Sequence, residues 1–223
     1  MSVTNWSRFG AIAGILFAVL FTLGVILPDL PSGGDSAAVV DEFYADSGNR
    51  TTVIVAAYLI VLSGLAFIGF LAELYRGLRR AEGDAGSLAT MALAGGVLFV
   101  GMLYASSSAW ANVPGGMEMA GESQPSSEIP IWFTQLGYGD LLLYGMFAAI
   151  AVIVPTSVLA LRTGLLPRWQ AWTGFVCAFA LLFGVIFLPM IALPLWAIAT
   201  SVAMLKSPAT QPARNSQPAP TTT

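Results

Sequence analysis

The chain's 223 residues are 57% hydrophobic and only 9% charged, with a mean hydropathy of +0.78; soluble domains run roughly 45–50% apolar and about 25% charged. A soluble globular fold is excluded, and a net charge of -3 offers no basic surface for nucleic acid. With no His and a single Cys, the chain can form no Ser–His or Cys–His pair, histidine metal site or intramolecular disulfide. No cofactor is expected, and Cys177 reads as a small packing residue.

The first apolar run, 9–27, follows Arg8. It is longer than the roughly 7–15 residues of a secretory signal's apolar region, so it reads as a retained span. The loop 28–50 carries a short amphipathic pattern over about 35–47. Asp35 or Ser36 caps it, Val39, Val40, Phe43 and Tyr44 share one face, and Gly48 ends it. Further spans are predicted at 51–75, 87–111, 136–161, 169–188 and 191–205. Between the third and fourth, 112–135 contains Pro114-Gly115-Gly116 and Gln124-Pro125-Ser126-Ser127, which predicts irregular structure. The last two spans share one apolar stretch divided by Pro189 and Pro194; a single kinked helix is the alternative. From 207 to 223 the Pro-, Thr- and Ala-rich composition predicts a disordered tail. Residues 1–206 thus read as an all-α, polytopic membrane bundle of about six transmembrane helices, in stretches of the kind that a hydrocarbon core of roughly 30 Å demands.

Basic residues near span ends stay in the cytoplasm. Arg8, Arg76, Arg79, Arg80, Arg162, Arg168, Lys206 and Arg214 fall on one side of the six-span arrangement, and only Arg50 on the other. Both termini are therefore expected in the cytoplasm of a bacterial cell membrane. Trp6, Trp169 and Trp172 would mark the inner interface, and Trp110, Trp132 and Trp196 the outer one.

Small residues at four-residue steps, Gly10, Gly14, Ala18 and Thr22, followed by Ala92 and Gly96 and by Ala180 and Gly184, predict close helix packing within the bundle. Glu73, Arg76 and Arg80 share a helix face and read as an interfacial anchor. Gly137-Tyr138-Gly139-Asp140 matches the Gly-x-Gly-Asp pattern of intramembrane aspartyl proteases, but no second Asp lies within a span, and that chemistry needs two carboxylates sharing a proton. Tyr58, Tyr104 and Tyr144 lie about two turns in from the outer ends of their spans. Tyr104, Ser108 and Asn112 form one polar column, Asp140 and Tyr144 another. Two readings follow: one outer polar pocket bounded by all six residues, with Arg50 a counter-charge, or an ordinary aromatic belt.

Asp41-Glu42-Phe43-Tyr44-Ala45, Leu166-Pro167-Arg168-Trp169-Gln170-Ala171-Trp172, Leu195-Trp196 and Thr200-Ser201 resemble a family of actinobacterial-type multi-span membrane proteins described only as a domain of unknown function. The resemblance implies a helical membrane fold and brings no activity, ligand or catalytic residue. Three functions remain open: a non-enzymatic scaffold, sensor or partner subunit; a small-solute or lipid binding or transport protein; and a lipid-directed enzyme. The lipid bilayer is the expected surrounding, with a membrane-protein partner or a second copy as the expected associate.

Overall fold

The computed structural model describes residues 8–84, 86–186 and 188–206. The expected tail, 207–223, and Trp6 lie outside the described residues. Among these, the regular structure is helical throughout: α1 Arg8–Ile26, α2 Ala37–Ala45, α3 Ser47–Glu82, α4 Ser87–Met119, α5 Glu128–Tyr138, α6 Met146–Thr163, α7 Arg168–Leu181 and α8 Ala192–Lys206. A π-helical segment, Gly139–Gly145, joins α5 to α6. Five helical stretches are long and apolar enough to cross a membrane: Arg8–Ile26, Ser47–Glu82, Ser87–Met119, Glu128–Thr163 and Leu188–Lys206.

Aromatic packing closes the bundle axis. Phe67 lies 4.8 Å from Phe17 and 4.9 Å from Phe99 between ring centroids, and Phe70 meets Trp196 edge-on at 5.9 Å, within the range where ring pairs attract. Small residues let the helices approach this closely. A Cβ on Gly10 would strike Glu73, one on Gly14 would strike Ser201 and Phe70, and one on Gly96 would strike Leu71. Ala18 and Ala92 are buried in the same seams.

The outer ends differ from expectation. α3 spans 36 residues and α4 33, about 54 and 50 Å at roughly 1.5 Å per residue, so both run past a 30 Å core. The irregular segment expected over 112–135 shrinks to 120–127 because α4 continues through Pro114. That turn is held by packing: Val113 joins a small cluster with Val40 and Tyr44 of α2, with Phe43, Met117, Ile131 and Phe133 against it. α2 forms as expected outside the span, but Val39 is exposed. Asp46 rather than Gly48 ends α2; its carboxylate accepts the Gly48 amide at 2.6 Å and starts α3.

The last apolar stretch is a hairpin. Gln170, near the start of α7, donates through Nε2 to Thr200 Oγ1 of α8 at 2.5 Å. A single helix would hold residues 30 positions apart about 45 Å apart, so the kinked-helix alternative is overturned. The hairpin is short: α7 has 14 residues, about 21 Å, and ends well before the expected 188. Its apex, two 3₁₀ turns at Gly184–Ile186 and Leu188–Ile191, packs where a Cβ on Gly184 would meet Leu142 O at 3.1 Å and Met146 Cγ at 2.8 Å. Consequently Arg8, Arg76, Arg162, Arg168 and Lys206 gather toward one end of the bundle.

Candidate functional site

Five of the six expected pocket residues divide between two lateral grooves on either side of α4. Tyr58, Tyr104 and Ser108 line a groove of about 280 Å³ between α3 and α4, together with Ala57, Ser107 and Met119. Ser107 spends its hydroxyl on Ala57 O at 3.0 Å, and the buried Tyr104 hydroxyl has no hydrogen-bond partner among the described residues. Asp140 and Tyr144 line a second groove of about 550 Å³ with Leu98, Met102, Phe147, Ala148 and Ala151. Asn112 is exposed and lines neither of these two grooves. The single outer pocket is therefore replaced by two grooves. The reason is rotation: Met102 and Tyr104 are two positions apart on α4, about 200° around the helix, so Tyr104 points away from the groove that Met102 shares with Asp140.

Arg50 does not serve Asp140. Its Nε and Nη2 both reach Glu118 Oε1 at 2.6 Å, and Nη1 donates to Tyr44 O at 2.5 Å and Ala45 O at 2.9 Å. Arg50 thus fastens the end of α2 to α4. Two acids lie within the expected spans. Glu73 is buried and pairs with Arg76 one turn on. Asp140 is half-buried and meets neither cation nor hydrogen-bond donor among the described residues. It sits in the π-helical segment, a distortion found frequently at functional sites. Neither a second carboxylate nor a Ser, Thr, Cys or Lys lines its groove.

A second polar group went unnoticed in the sequence. Ser157, Gln170, Trp196, Thr200 and Ser201 are fully buried on α6, α7 and α8. Gln170 is satisfied on one side by Thr200. Its Oε1, the Ser157 and Ser201 hydroxyls and the Trp196 indole N–H have no partner among the described residues. An amide at the start of an apolar stretch, two residues after Arg168, was the signal available. Trp196 belongs to this core, against Phe70, and not to the expected outer interface. Trp110 is also buried, beside Tyr138 at 5.2 Å, and of the three expected outer tryptophans only Trp132 is exposed.

Comparison with protein families, curated proteins and solved structures finds no match.

Proposed function

We propose that this chain is a non-enzymatic protein of the bacterial cytoplasmic membrane, a sensor or partner subunit that takes its ligand sideways from the outer half of the bilayer. The observation that carries this is the position of Asp140: among the described residues it is the acid of the expected spans that meets neither cation nor hydrogen-bond donor, and it opens onto a lateral groove. An ionisable group at that depth is costly unless it has a task. Phe17, Phe67, Phe99 and Trp196 are fully buried between the helices, a packed interior that favours binding over conduction. The absence of His and of any Ser, Thr, Cys or Lys in the Asp140 groove favours binding over catalysis. The family resemblance remains part of this proposal and rests on the sequence motifs that carry it.

The accompanying topology keeps both termini in the cytoplasm, with the basic ends of the helices inside. α1, α3, α4 and α5–α6 cross, while α7 and α8 enter and leave from the inner side. The stretch 181–195 has no polar side chain, as an apex in water would be expected to have, and Ile186 and Leu188 are about 70% exposed at 70% and 71%. Two tests apply. A reporter active only in the cytoplasm should work when fused after Lys206. Ile186→Cys in a Cys177→Ala background should resist a charged thiol reagent from either side; labelling from outside would make the hairpin a pair of full crossings. For the function, reconstituted vesicles should show saturable lipid-dependent stabilisation and no solute flux, and flux abolished by Asp140→Asn would replace binding with transport.

A further inference from the structure

The Asp140 groove has two chemically different ends. At its outer end stand the Asp140 carboxylate and, one turn inward, the Tyr144 ring, which is 57% exposed. The remainder is apolar: Leu98, Met102, Phe147, Ala148 and Ala151. From Asp140 to Ala151 is about 16 Å at roughly 1.5 Å per residue, close to half of a 30 Å hydrocarbon core and so to the depth of one leaflet. The groove runs inward from a point near the outer edge of that core. Gly137, one turn out from Asp140, packs on Trp110, while Gly145, one turn in, faces Met102. That sets Asp140 against α4 at about residues 103–107, roughly 24–30 Å above Ser87.

The carboxylate has no cation of its own. Arg50, the one basic residue on the outer side, is committed to Glu118 and to the end of α2. A charge left unpaired at the edge of the membrane is stabilised by a positive group at that depth, and an exposed aromatic face beside it adds a cation–π surface. Resting on the binding reading above, we infer that the groove's ligand is a single-leaflet amphiphile with an ammonium head, the head on Asp140 and Tyr144 and one acyl chain along Leu98, Phe147 and Ala151. The π-helical turn at Gly139–Gly145 serves this by shaping the wall at the head end.

The experiment uses the full chain in detergent micelles, with phosphatidylethanolamine and phosphatidylglycerol of identical acyl chains as probes, read by thermal shift and by bound lipid in native mass spectrometry. The ethanolamine lipid should bind about fivefold or more tightly, the scale of a half-exposed ion pair with its aromatic neighbour. Asp140→Asn should remove that preference while leaving the melting temperature without lipid unchanged, and Asp140→Glu should retain it. Leu98→Trp, which fills the apolar part, should weaken both lipids alike. Equal binding of the two lipids, or a preference that survives in Asp140→Asn, overturns the ammonium assignment while leaving lateral lipid binding in place. No saturable shift with either lipid overturns both.

Discussion

A glycine at the α6–α7 seam allows the packing to be tested quantitatively. An alanine methyl at Gly174 would fall on Ser157 Oγ, while the next nearest atoms, Ile153 Cγ2 and Ser157 Cβ, stand at 3.4 Å, ordinary contact. Two terms then oppose each other in Gly174→Ala. Helix propensity favours alanine by about 1 kcal/mol, and overpacking costs about 1–3 kcal/mol, so the single variant should lie between unchanged and about 2 kcal/mol less stable. Ser157→Ala removes the obstructing oxygen and, with it, a buried hydroxyl lacking a partner among the described residues. In that background Gly174→Ala should stabilise by about 1 kcal/mol, giving a coupling of about 1–3 kcal/mol. Unfolding titrations in mixed micelles of the wild type, both singles and the double variant supply the cycle. A coupling below about 0.5 kcal/mol, the limit expected for independent sites, would refute the close approach of Gly174 to Ser157 and with it the placement of α7 on α6.

Three further outcomes are expected. Arg50→Ala should free the end of α2, and with Arg50 and Glu118 both partly exposed the loss is about 1–2 kcal/mol, read as a fall of about 5- to 30-fold in hydrogen-exchange protection across Ala37–Ala45. Tyr44 is buried, which raises its hydroxyl pKa, the hydrogen bond with Thr134 offsetting part of the rise. The folded cap therefore holds the proton more tightly than the unfolded chain. The stability this gives is intact below about pH 10 and lost as pH rises through the raised value, so tyrosinate absorbance of wild type minus Tyr44→Phe should rise later than that of a free tyrosine. Trp196→Ala should cost about 3–5 kcal/mol for a fully buried ring and Trp196→Phe much less, since the indole N–H has no partner among the described residues; a cost below about 0.5 kcal/mol for the alanine variant would return Trp196 to an interfacial position.

What could be read from sequence was set by length and burial. The apolar runs around 9–27, 51–75 and 87–111 show themselves because each reaches or passes the roughly 20 residues that a hydrocarbon core demands, and Val40 and Tyr44 show themselves because α2 repeats apolar residues on one face. Rotation was not readable: periodicity says that Tyr104 and Ser108 share a side of α4, but not whether that side faces α3 or α6. Pro114-Gly115-Gly116 was misread because local breaker residues lost to the packing of Val113 and Met117 on α2. The core of Ser157, Gln170 and Thr200 was hidden because its members come from three helices and no periodicity links them.

The turn between α3 and α4 bears on how the protein is made. Glu82 reaches across it to accept the Leu88 amide at 2.9 Å and the Ala89 amide at 2.8 Å, and Phe17, Phe67 and Phe99 all come from α1, α3 and α4. Everything needed for that aromatic stack has been translated by Met119, before any residue of α5 exists. α1, α3 and α4 can therefore pack on one another before the rest of the chain is made, as a platform on which α5–α6 and then the late α7–α8 hairpin dock. Reversing the order of the two halves should then impair accumulation of the protein during synthesis more than it alters the stability of whatever protein does assemble.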